Sequence, residues 1–210
     1  ACYFEPLLFQ LLNKFTKLRR EKKKVLQTSQ EKSWLESMDK QLIEIGEKII
    51  NNKKIFLNSF QDFLKNENNQ FFQFEIQPSF GLENKELFLA KFKQDLSDEN
   101  QWPKDHKLQS EHDPQKSIFE ITHQGKKLSQ LSSAQSKLLI LSFLLHCAKF
   151  LSQQKITIFL IDEIFDNFDM INIEKVIQYC AENKFQTFFS TTDNFVLQGV
   201  INNLEIKEIT

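Results

Sequence analysis

The stretch Ile156-Thr157-Ile158-Phe159-Leu160-Ile161-Asp162-Glu163, followed at once by Asp166-Asn167-Phe168-Asp169, decides how the chain is read. Six residues that are almost all β-branched, aromatic or aliphatic run straight into two adjacent carboxylates. An uninterrupted apolar run of this length suits a strand buried on both faces, the condition of a strand in a parallel sheet. Outward from it the pattern alternates. Ser117 to Thr122 reads as a strand, Gly125 as a turn, and Gln135 to Leu151 as a buried helix. Ile173 to Glu182 reads as a helix, Phe185 to Phe189 as another apolar strand, and Leu204 to Ile209 as a short edge strand. Strands alternating with helices place residues 117–210 in the α/β class.

The upstream part has a different character. Leu7, Leu8, Leu11, Phe15, Leu18, Val25 and Leu26 recur at helical spacing between Tyr3 and Gln30, with Lys and Arg on the remaining faces. A second helical pattern runs through Leu35, Met38, Leu42, Ile45, Ile49, Phe56, Phe60 and Phe63 and ends in the polar cluster Asn66 to Gln70. Joined by so short a break, the two helices suggest an antiparallel arm that projects from the main body over residues 1–66. Residues 67–116 then connect the two parts. Phe72, Phe74 and Ile76 alternate as a strand stopped by Pro78, Leu87 to Leu96 forms a helix, and Asp98 to Gln115 is a polar loop containing Pro103 and Pro114.

With 27 Lys+Arg against 28 Asp+Glu over 210 residues, the chain is not a basic coat for nucleic acid. The charge is uneven, however. Residues 1–70 hold 13 basic and 9 acidic side chains, so attraction to phosphate belongs to the first third, where Lys17, Arg19, Arg20, Lys22, Lys23 and Lys24 cluster. A merely solvated helix face accounts for the same residues. Two Arg beside 25 Lys, four Gly, 22 Phe, and 35 Asn plus Gln match the codon bias of an AT-rich genome. Three cysteines, Cys2, Cys147 and Cys180, make no C-x-x-C and fit buried thiols in a reducing cytoplasm. The longest apolar run, Leu138 to Leu151, is interrupted by Ser142, His146 and Lys149, so neither a signal peptide nor a membrane span is expected.

Two features carry chemistry. Carboxylates at the carboxyl end of a buried parallel strand lie where open α/β sheets bind ligands, and there they can hold a hydrated Mg²⁺ and activate water. They could equally be solvated acids capping the next turn. Leu131-Ser132-Ser133-Ala134-Gln135 precedes the buried helix. Small hydroxyl residues at a helix start are N-caps, and the same free amides and helix dipole attract phosphate.

The order of these pieces resembles the C-terminal lobe of ABC-type ATPase heads, and within them the RecF family of the RecF/SMC group. Leu131 to Gln135 resembles the signature loop, Ile158 to Glu163 Walker B, and Asp166 to Asp169 the D-loop. Phe188 to Asp193 is similar to the strand that ends in threonines in that family, here Thr191 and Thr192 before Asp193. Leu35, Met38, Asp39, Gln41, Leu42 and Gly46 are similar to the family's L-x-x-W-D-x-Q-L-x-x-x-G segment, and the two-helix arm sits where the family carries its coiled-coil lobe. Ala134 replaces the signature glycine, Met38 the tryptophan, and His112-Asp113 is all that remains of G-P-H-R. No G-x-x-x-x-G-K-[ST] occurs in the 210 residues.

The resemblance implies a DNA repair, recombination and replication protein of the SOS response. It also implies a cytoplasmic ATP-binding protein without a membrane, one that binds single-stranded or gapped DNA, forms an ATP-dependent homodimer and works with RecO and RecR homologues. In that reading Asp162 holds Mg²⁺, Glu163 activates water, and Ser132, Ser133, Ala134 and Gln135 contact ATP bound on a partner. Asp166 and Asp169 form the D-loop, and Thr191, Thr192 and Asp193 a switch-like strand end. ATP hydrolysis then requires a Walker A segment preceding Ala1, and the expectation is an N-terminally truncated portion. The alternatives are a non-catalytic remnant acting as a binding or dimerisation module, and another SMC-like head such as RecN or SbcC, whose arms are far longer.

Overall fold

The computed structural model describes residues 6–28, 32–67, 72–101, 112–116, 119–153, 158–162, 168–183 and 186–190. Glu163, Asp166, Thr191, Thr192, Asp193 and the expected strand Leu204 to Ile209 lie outside the described residues. The chain divides into two compact units, Ala1–Gln61 with Ile76–Glu120, and Asp62–Glu75 with Ile121–Thr210. The expected boundaries near residues 66 and 116 therefore do not coincide with the units. Most of the connecting segment packs with the helices that precede it.

In the first unit, α1 (Pro6–Thr28) and α2 (Lys32–Lys65) are the expected long helices. Lys22 meets Asp39, whereas Leu12, Thr16 and Gly46 all approach residues 114–115, so the two helices run antiparallel. They are not a free two-helix arm. After the single turn α3 (Phe80–Glu83), α4 (Lys85–Gln101) adds Phe92 and Leu96 to the core of Leu8, Phe15, Leu18, Leu42, Ile45 and Ile49. The Phe15 and Phe92 rings lie 6.0 Å apart. A narrow apolar stripe on each of two helices leaves an open seam, and a third helix closes it.

Asp98 to Gln101, expected as loop, continues α4. The reason is tertiary: Glu99 receives a bidentate bond from Arg19 at 2.8 and 2.9 Å, and Asn100 donates to Asp39 at 2.6 Å. A short strap, residues 112–116, ties the three helices together. His112 Nδ1 lies 3.1 Å from Asp95, the buried Lys53 donates to the Pro114 carbonyl at 2.8 Å, and Gln115 donates to Leu12 O and Thr16 Oγ1.

The chain passes between the units within β1 (Glu75–Pro78) and again within β2 (Phe119–His123). These strands and β3 (Lys126–Lys127) form a sheet in the order β1-β2-β3. The β2–β3 hairpin turns on Gln124 and Gly125, both at positive φ (50° and 74°), the geometry of a two-residue turn that matches strand twist.

The second unit holds the elements built around the opening stretch. They are α5 (Ser133–Ser152), β4 (Ile158–Asp162), α6 (Met170–Glu182) and β5 (Gln186–Ser190). β4 and β5 pair in parallel through all five residues, from Ile158 opposite Gln186 to Asp162 opposite Ser190, with α6 as the crossover between them. Leu138, Leu141 and Leu145 of α5, Ile161 of β4, and Ile173, Val176, Ile177, Tyr179 and Cys180 of α6 form one core. The α/β expectation holds for this pair. β2 joins the antiparallel sheet instead, so the described strands make two sheets rather than one. By length and composition α5 is apolar enough to cross a membrane, yet its leucines build this core.

Candidate functional site

The carboxyl ends of β4 and β5 bring two functional side chains together. Asp162 and Ser190 occupy paired positions at the strand ends, both exposed, and the Ser190 hydroxyl donates to Asp162 Oδ1. The alternation explains the placement. Ile161 is buried on α5 and α6, so the next side chain points to the other face, at the edge where the strands stop. An oxygen ligand at this edge suits Mg²⁺, which commonly binds through one or two carboxylates and retained waters. Among the described residues no three His, Cys, Asp or Glu side chains form a metal-binding group, so Asp162 stands as one ligand.

Ser132 caps α5. Its Oγ accepts from the Gln135 amide at 3.2 Å, and Gln135 Oε1 accepts from the Ser132 amide at 3.1 Å, a reciprocal capping box. Ser132, Ser133 and Gln135 are exposed and Ala134 is half-buried. The cap and the anion-binding reading are compatible, because a capping serine accepts through Oγ and retains its hydroxyl hydrogen as a donor. Ser136 anchors the approach by donating to Leu128 O at 3.1 Å. Asp169 caps α6 in the same way, accepting from the Asn172 amide at 2.8 Å. It is the only member of the expected D-loop pair among the described residues.

The basic candidates on α1 divide into two groups. Lys17, Arg20, Lys23 and Lys24 are exposed, and Lys14, one turn earlier, extends the same surface although its spacing from the cluster did not single it out. Arg19 and Lys22 turn inward. Lys22 is 1% exposed, with Nζ 2.6 Å from Asp39, 3.3 Å from Glu99 and 3.1 Å from the Leu96 carbonyl. Burial works to lower the Arg19 pKa, but hydrogen bonds to Glu99 and the charges of Glu99, Asp113 and Asp39 outweigh it and hold the guanidinium above its usual range. These two cations serve the fold, which corrects their assignment as DNA contacts.

The thiols are inert: burial pushes Cys147 up to about 12 and Cys180 to about 11. Burial also lowers the pKa of His146, opposed by the bond its Nδ1 donates to Ser142 O at 2.7 Å.

No protein-family model and no curated protein matches the chain. Solved structures do, and they define its class: the chain has a RecF-like fold. One is the recombination mediator protein RecF of the RecFOR pathway with ATPrS. It is 20% identical, with a TM-score of 0.65 over 90% of this chain and 54% of that one. Another is RecF of the RecFOR pathway with ATP, 20% identical, with a TM-score of 0.62 over 91% of this chain and 56% of the other. The chain thus spans about half the length of the RecF structures it matches.

Proposed function

We propose that this chain is part of a RecF-like DNA repair and recombination protein that binds single-stranded or gapped DNA in an ATP-dependent manner. The observation that supports it most is the RecF-like fold over 90% of the chain combined with Asp162 at the end of its parallel strand pair. Asp162 is the ligand for Mg²⁺ and Glu163 the group that orients and deprotonates the attacking water. Bound Mg²⁺ supplies charge neutralisation at the phosphates. Ser132, Ser133, Ala134 and Gln135 offer the α5 amides and a hydroxyl to the terminal phosphate of ATP held by a partner head in a homodimer. Asp166 and Asp169 line that dimer contact, and Thr191, Thr192 and Asp193 follow the strand end as a switch-like element.

Lys17, Arg20, Lys23 and Lys24 contact DNA phosphates, while RecO and RecR homologues are the protein partners and the cytoplasm the compartment. The phosphate loop comes from outside these 210 residues. A non-catalytic binding module is the second reading, favoured by Ala134 in place of glycine and by the absence of G-x-x-x-x-G-K-[ST] from the sequence.

Fluorescence anisotropy with a gapped duplex tests the DNA reading. Replacing the four exposed cations by alanine should weaken binding and reduce the salt slope by about 0.7–0.9 for each DNA phosphate that the variant no longer neutralises. An unchanged slope sinks that assignment. Nucleotide binding by the chain alone, measured with a fluorescent ATP analogue, separates the two readings of the head: the remnant takes up none, even with a RecF partner head present.

A further inference from the structure

One face of the β4–β5 pair is covered and the other is not. Phe159, Ile161 and Phe189 pack into the core with α5 and α6. The alternate residues Ile158, Leu160 and Phe188 are 56%, 74% and 52% exposed, and Leu160 stands directly opposite Phe188 in the register. Within the described residues β4 and β5 bond only to each other, so each also has an open edge. Parallel strands need cover on both faces, normally from helices, and open edges take further strands. An uncovered apolar face and two open edges on the same pair call for one occupant that brings both helix and strand.

We propose that this face seats an α/β lobe equivalent to the portion of the RecF chains that this chain does not match, a little under half of each. The inference rests on the fold alone and goes beyond the DNA-binding reading. A second copy of this chain fits poorly, because three exposed side chains fall well short of the roughly 800 Å² per partner that a stable interface requires. The lobe supplies an amphipathic helix against Leu160 and Phe188 and a strand along an open edge. Its arrival also fixes the carboxyl edge where Asp162 and Ser190 stand, so docking and completion of the site become one event.

The test uses the full 210-residue chain and, as probe, the recombinant remainder of a RecF chain that lies outside the match. Light scattering on the mixture should give a 1:1 complex. Hydrogen exchange at residues 158–162 and 186–190 should slow at least tenfold relative to the chain alone. Leu160→Glu should weaken the complex at least tenfold, whereas Ile171→Glu, equally exposed but on α6, should leave it unchanged. DNA affinity measured in parallel should be the same for Leu160→Glu and the parent chain, so a failure of the DNA reading leaves docking intact and the reverse holds too. Three results overturn the proposal: no complex; strands already protected in the chain alone, which would mean that its own residues cover the face; or a self-dimer abolished by Leu160→Glu.

Discussion

Replacing Lys22 by methionine removes a charge from the interior of the first unit while keeping the length of the side chain. The ammonium is 1% exposed and serves three acceptors, Asp39 at 2.6 Å, Leu96 O at 3.1 Å and Glu99 at 3.3 Å. The two carboxylate side chains are themselves only 14% and 11% exposed. Breaking a buried pair from one side costs about 3–5 kcal/mol, mostly through the charge left behind. Here Glu99 keeps both Arg19 bonds and Asp39 keeps the Asn100 amide, so the loss falls at the lower end, about 3 kcal/mol. For a chain of this size that is a fall of roughly 6–12 °C in Tm. Urea denaturation followed by circular dichroism measures it, with Lys23→Met, an exposed neighbour, expected within about 0.5 kcal/mol of the parent. Adding Asp39→Leu to Lys22→Met should recover part of the loss, since the stranded carboxylate goes with it. Equal stabilities for Lys22→Met and Lys23→Met would refute the buried network.

Three further outcomes follow from the same geometry. Gly46→Ala places a Cβ 2.9 Å from the Pro114 ring, which the Lys53 bond holds in place; overpacking of about 2 kcal/mol exceeds the helix-propensity gain of about 1 kcal/mol, for a net loss near 1 kcal/mol that Pro114→Ala should relieve. Ser132→Ala should cost about 1 kcal/mol by chemical denaturation through loss of the α5 cap, and Ser133→Ala much less, because only Ser132 accepts the Gln135 amide. The folded-state pKa of His146 lies below its unfolded value, so its contribution is complete above about pH 6.5 and is lost as pH falls from there through the depressed folded value, by at most about 1.4 kcal/mol per pH unit. Comparing denaturation midpoints of the parent and His146→Gln at pH 7.5 and 5.5 checks this; an equal acid loss in both would exclude His146 as a source.

The second unit was legible in the sequence because its signals are local. Continuous apolar runs at Ile158–Ile161 and Phe185–Phe189 flank a clean helical period, and the structure follows them within a residue or two at each described end. Asp162 at the strand end and Ser132 at the helix start could be placed for the same reason. What escaped depends on partners far away in the chain. α4 runs past Asp98 because Glu99 and Asn100 meet α1 and α2, and Arg19 and Lys22 turn inward to residues 17–80 positions distant. Lysine is so seldom buried that composition alone assigns it to the surface. β3 is two lysines long and carries no periodicity at all.

The strap also sets a clock. Lys53 waits for a carbonyl 61 residues further along, and Gln115 reaches back 103 residues to Leu12. On a ribosome adding about 5–20 residues per second, that first interval lasts roughly 3–12 s, long beside the microseconds in which helices form. During it α1 and α2 are already helical, with an unfilled seam and an ammonium that has no interior acceptor to go to. A nascent chain of this protein therefore spends seconds as a helical hairpin that cannot close, and Pro114 and Gln115 are the residues whose emergence ends that exposure.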